Sequence, residues 1–173
     1  MAGVDLPVSA ATGPAQKVGG LARGFAHTQP GAVVAAVHLL VRTTAQVGPV
    51  VFEPTLAEQV VGEHAPAMRT AVADSYREAA ARTGVVYGQP LGDLPATVAG
   101  VRVDGYTDAQ ATLSVLTSAV DATGFTRYAA TRLSLMWTDD DWHLVAPPGG
   151  RWDSEVRIVD PAQIAGYPPL AGR

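Results

Sequence analysis

The sequence predicts an α+β domain in which three N-terminal helices pack on one face of a curved four-stranded antiparallel sheet. Two patterns predict it. Helix-compatible segments with recognisable caps occupy the first half of the chain, and period-two alternation takes over near Thr97 and runs to the Pro147-Pro148 stop. Composition agrees with a folded chain: of 173 residues 47% are hydrophobic and 16% charged, enough for one core but not for a second full catalytic domain. The chain divides into an extended leader over residues 1–23, a domain over 24–148, and a tail over 149–173 with an edge segment near Val156 to Val159.

The leader, "MAGVDLPVSAATGPAQKVGGLAR", has neither helical nor strand periodicity and is punctuated by Gly and Pro. A helix then starts cleanly. Thr28 is a good N-cap, Pro30 suits the first turn, where its missing N–H has no partner to lose, and 32–44 is continuously helix-compatible. Its apolar residues lie nearly all round, so this helix is expected to be central and buried. A short helix follows from about Pro54 to Val61, and a longer one from about Pro66 to Thr83, stopped by Gly84. In the longer helix Met68, Ala71, Val72, Ser75 and Ala79 form a stripe of small side chains suited to close packing on a sheet.

Four strands complete the pattern. In "TVAGVRVDGYT" Val101 and Val103 alternate with Arg102 and Asp104; in "AQATLSVLTSAV" Ala111, Leu113 and Val115 alternate with Thr112, Ser114 and Leu116. "FTRYAATRLSLMW" sets Leu133, Leu135 and Trp137 against Arg132, Ser134 and Met136, and "WHLVA" is the fourth, ended by proline.

Charge narrows the function classes. The formal net charge is -4, Lys17 is the single lysine, and the arginines are scattered from Arg23 to Arg173 without a stripe, which argues against direct nucleic-acid binding. Absence of cysteine excludes thiolate metal sites, thiol nucleophiles and disulfides. The longest apolar stretch, "GAVVAAVHLLV", is far short of the ~20 residues that span a bilayer, so the chain as given is expected to be soluble. A Met-Ala start before a Pro/Gly/Ser/Ala-rich segment fits a cut inside a linker.

The densest cluster of carboxylates is "WTDDDW". Counting from Asp139, the sixth and twelfth positions of a calcium loop hold Leu144 and Gly150, where Gly and Glu are needed, so the run reads as a hairpin tip. Trp137 and Trp142, at its mouths, are placed to pair across the strands. His27, His38, His64 and His143 lack metal-ligand spacing, and there is no nucleophile elbow, dinucleotide loop or phosphate-binding loop, so no cofactor and no metal are expected. What remains for an enzyme is acid/base chemistry in a cavity between sheet and helices, with candidates His38, Asp104, Tyr106, Asp121 and Tyr128. Nothing in their spacing demands it.

Helices followed by a curved sheet ending in a W-x-D-D-D-W hairpin resemble the NTF2-like (cystatin-like) cone. More specifically, "GVDLP", "GLARGFAHTQPGAVVAAVHLLVRT", "FEPTLAEQVVGE", "MWTDDDWHLVAPPGG" and "IAGYPPL" resemble actinobacterial proteins encoded with conjugative plasmids and integrative elements, "GFAHTQPGA" being the most specific piece. The resemblance implies a short cytoplasmic start, a transmembrane helix missing from this chain, and an extracytoplasmic domain anchored through it. It also implies a role like the VirB8 and TcpC proteins of type IV secretion. Such a protein is a non-catalytic scaffold that homo-oligomerises and contacts other conjugation-channel proteins. The alternative left by the fold resemblance is a small-molecule-binding protein or isomerase/dehydratase-type enzyme using the cavity.

Overall fold

The structure, a computed structural model, describes residues 1–170; the end of the 149–173 tail lies outside the described residues. The leader forms a small hairpin, β1 (Gln16–Val18) and β2 (Leu21–Arg23). Then come α1 (Gln29–Arg42), α2 (Pro49–Glu58), β3 (Val60–Val61) and α3 (Ala65–Thr83). The second half holds β4 (Thr97–Tyr106), β5 (Gln110–Val120), β6 (Thr126–Thr138), β7 (Asp141–Val145) and β8 (Val156–Ile158).

The expected four-stranded antiparallel sheet, and with it the three-helix cone of the NTF2-like type, is not what forms. The main sheet has six strands and is mixed: its order is β3-β7-β6-β5-β4, β3 runs parallel to β7, and β8 pairs with β6 beside the end of β7. The two added strands are three residues or shorter. β8 falls on the edge segment expected near Val156, whereas the pairing of the two-residue β3 is decided by contacts distant in sequence, so no local periodicity announces it.

Nor do the helices share one face. The spine α1 lies across β4, β5, β6 and β7, whereas α3 packs on α2 and on the turn at Pro148–Gly150. The residues that α3 buries are Ala65, Met68, Tyr76 and Ala80, with Phe52 of α2 meeting Tyr76 at 5.6 Å between ring centres. Ser75 is exposed, so the stripe of small residues is rotated from the expected position. An aromatic anchor, with close approach of the Gly150 turn to the first turns of the helix, holds α3 in place of a small-residue stripe on the sheet.

α2 starts at Pro49 rather than Pro54, because both prolines fit a first turn and the fold uses the earlier one. Pro54 therefore sits inside the helix and cannot donate to the carbonyl of Val50. Gly20 of the leader, at φ +84°, backs onto that carbonyl so closely that a Cβ would lie 2.2 Å from the oxygen.

The main core lies between α1 and the inner face of the sheet. Val37, Leu39, Leu113, Val115, Leu135, Trp142 and Leu144 are all buried there, joined by Val4, Ala22 and Phe25 from residues 1–25. A second, smaller cluster covers the outer face: Leu116, Ala130, Val159 and Tyr167 are buried against one another. The tail thus turns part of a one-faced sheet into a two-faced one. No helix among the described residues is long and apolar enough to cross a membrane.

Candidate functional site

The most distinctive sequence pieces, "GFAHTQPGA" and "MWTDDDWH", meet in one structural node. Asp139 and Asp140 occupy the left-handed region at φ +50° and +60°, as a two-residue hairpin turn requires. Asp141 does something else. It is buried, and its carboxylate accepts the backbone N–H groups of Gly24 (2.8 Å), Phe25 (3.1 Å) and Trp142 (2.9 Å), pinning the entry to α1 onto the sheet. Trp142 adds a bond from its indole N–H to the Ala26 carbonyl at 3.0 Å. His27 stacks on Trp137 at 3.9 Å between ring centres, and its Nε2 lies 2.6 Å from the Asp108 carbonyl. Trp137 and Trp142 stand opposite each other in register, edge to face at 5.2 Å. Thr28 caps α1 by accepting from the Gly31 N–H. The motif residues are thereby occupied in tying helix, leader and hairpin together.

His38 is fully buried on α1, its ring edge against Phe25. Nε2 lies 2.8 Å from the Pro7 carbonyl, which can only accept, so Nε2 carries the proton of a neutral ring and Nδ1 has no partner. Burial lowers its pKa to about 4. It staples the leader to the spine.

The other candidates do not gather around it. Asp104 lies on the outer face, accepting from Arg102 Nε and the Ser114 hydroxyl. Burial pushes its pKa up, but the bonds from Ser114 and Arg102 outweigh that and hold it below the usual carboxylate value. Tyr106 packs its ring toward Trp142 at 6.1 Å. Asp121 sits at the β5–β6 turn, where hydrogen bonds from Thr123 and Arg127 keep its carboxyl well below the usual range. Tyr128 packs on the outer cluster. Among the described residues no three His, Asp or Glu are placed to hold a metal.

A groove of about 660 Å³ opens instead along the edge strand β4. Pro7 to Ser9 and Thr12 of the leader, the first two turns of α1, Val101 to Val103, and Pro168 to Leu170 wall it, and most of that wall is apolar. Pairing of β4 with β5 leaves its other edge open, and Val101 uses that edge to donate to the Pro168 carbonyl at 3.0 Å. Alternation along the strand turns the N–H and C=O of Val103 the same way. Sequence reasoning missed this groove because four distant segments build it.

A family model, the domain of unknown function DUF8175, matches residues 1–168. The chain belongs to the DUF8175 family. The match embraces the leader as well as the sheet and nearly all of the tail, in keeping with a DUF8175 core that draws on Val4 at one end and Tyr167 at the other. No curated protein and no solved structure matches the chain.

Proposed function

We propose that this DUF8175 domain is a non-catalytic assembly module that works through protein-protein contacts, with the β4 groove as the contact surface. The observation that carries the reading is the open edge of β4: it already takes one extended segment, the tail at Pro168, and continues past it into an apolar trough. Two further facts support it. Val37 and Leu135 fill the space between spine and sheet, and the candidate acid/base groups are dispersed over both faces.

The sequence resemblance to conjugative-element proteins makes the channel of a type IV secretion-like DNA-transfer apparatus the partner class to test, with the domain outside the membrane and self-associating. The test is a crosslinking pull-down from native membranes with the full-length gene product as bait. Recovery of channel proteins supports the reading. Recovery of none of them from a membrane that contains the assembled channel overturns it.

A further inference from the structure

Arginines that the sequence scatters are gathered by the fold on the outer face of the sheet. Arg102 on β4 stands opposite Ser114 on β5, and Ser114 stands opposite Arg132 on β6. Two guanidinium stems therefore flank one serine in a row across three strands, about 10 Å apart at the usual strand spacing. Arg157 of β8 faces Ala130, two residues along β6 from Arg132 and hence on the same face. All three border a cleft of about 490 Å³.

Like charges held this close repel, and the cleft offsets them only in part. Asp104 and Glu155 also line it, so three guanidinium groups against two carboxylates leave one positive charge, in a chain whose formal net charge is -4. The donors are under-used as well. Asp104 engages only Nε of Arg102, the Tyr167 hydroxyl only one terminal nitrogen of Arg157, and Arg132 has no side-chain acceptor among the described residues. Arg102 is meanwhile steadied over the Tyr167 ring at 4.9 Å, and Ser114 spends its hydroxyl proton on Asp104.

We infer that this cleft binds a carboxylate, held by Arg132 in the forked two-bond geometry with Arg102 and Arg157 at its sides. Charge chooses the class: one carboxylate neutralises the cleft, whereas a phosphate dianion would leave it negative and bring a second charge up to Asp104. The carboxylate comes from a free organic acid or from an acidic residue of a peptide. Arg102 borders both this cleft and the β4 groove, but Arg132 and Arg157 lie on the other face from the groove wall formed by α1, and the inference does not depend on the contact reading.

The experiment is a two-dimensional amide NMR titration of the labelled full chain with acetate, with a capped Asp-containing peptide, with inorganic phosphate, and with chloride at matched ionic strength. Saturable shifts at Ser114, Arg132 and Val156 with a carboxylate and not with chloride are expected. Saturation by acetate assigns a free acid, and saturation by the peptide alone assigns a peptide side chain. Arg132→Gln should weaken binding at least tenfold and Arg132→Lys, which keeps charge but loses the fork, several-fold. Arg77→Gln, at a surface arginine paired with Asp74, should stay within twofold. Absence of saturable shifts with both carboxylates, tighter binding of phosphate than of either, or unchanged affinity in both Arg132 variants overturns the inference.

Discussion

Asp139, Asp140 and Asp141 are the same residue three times, and the fold gives the third a different environment. The first two need only tolerate positive φ in water, while Asp141 is 8% exposed and is the acceptor for three backbone N–H groups. Replacing Asp141 by Ala strips those donors of their partner in a site that water reaches poorly, and a stability loss of about 3 kcal/mol or more is expected by chemical denaturation. Asp140→Gly, where glycine suits the backbone, should change stability by less than about 1 kcal/mol. Equal losses from the two variants would contradict the assignment of Asp141 as the bracket. His38 gives a second prediction at this scale. Its folded pKa is about 4 against 6.5 when unfolded, so below pH 6.5 the unfolded chain takes up a proton that the native ring refuses. Stability present above pH 6.5 is therefore lost as pH falls toward 4, by up to about 3 kcal/mol from this group. Chemical denaturation of the wild type and of His38→Gln between pH 7 and 4.5 checks it: the variant should be less stable at pH 7 and lose less on acidification.

At the scale of elements, what the sequence made legible is what local chemistry decides. Thr28 and Pro30 opened α1 where caps said they should, Gly84 in the left-handed conformation closed α3, and 126–145 folded as a hairpin about Asp139 and Asp140. What was not legible depends on distant partners. Val60 and Val61 become a strand only because β7 offers Leu144 and Val145 as parallel neighbours, and Leu116, half of an apparent polar alternation, is buried because the tail brings Val159 and Tyr167 over it. For the candidate site the same rule holds. His38 was visible as an anomaly on an apolar helix, but neither the groove nor the arginine row exists until β4, β6 and β8 are registered. Docking of α3 offers a test of such long-range packing. Gly149 and Gly150 both have positive φ, at +63° and +71°, but a Cβ on Gly150 would lie 2.3 Å from the Met68 nitrogen, while one on Gly149 meets nothing within 4 Å. Gly149→Ala should cost about 1 kcal/mol from backbone strain alone, and Gly150→Ala about 3 kcal/mol or more. Similar melting temperatures for the two would mean that α3 does not seat on this turn.

Over the whole molecule, stability and contact draw on different surfaces. The core unites the N-terminal residues, the spine and the inner sheet, and the tail seals part of the outer sheet, while β4 keeps an edge open to the groove. That edge is walled by the first residues of the leader, and Val8 stands there with 53% of its surface exposed in the apolar groove. Val8→Asp puts a charge in the trough while removing almost no buried area, so stability should stay within about 0.5 kcal/mol of wild type. Capture of the partner from native membranes should fall at least tenfold, because a peptide laid along β4 would have to bury that carboxylate against a mostly apolar wall whose lining guanidinium, Arg102, is already engaged by Asp104. Val120→Asp is the matched control. Val120 is 69% exposed at the end of β5, away from the groove, and its replacement adds the same charge to the same net balance. Loss of capture with Val8→Asp alone locates the contact on β4. Equal loss with both would trace the effect to net charge, and unchanged capture with both would move the contact to another face.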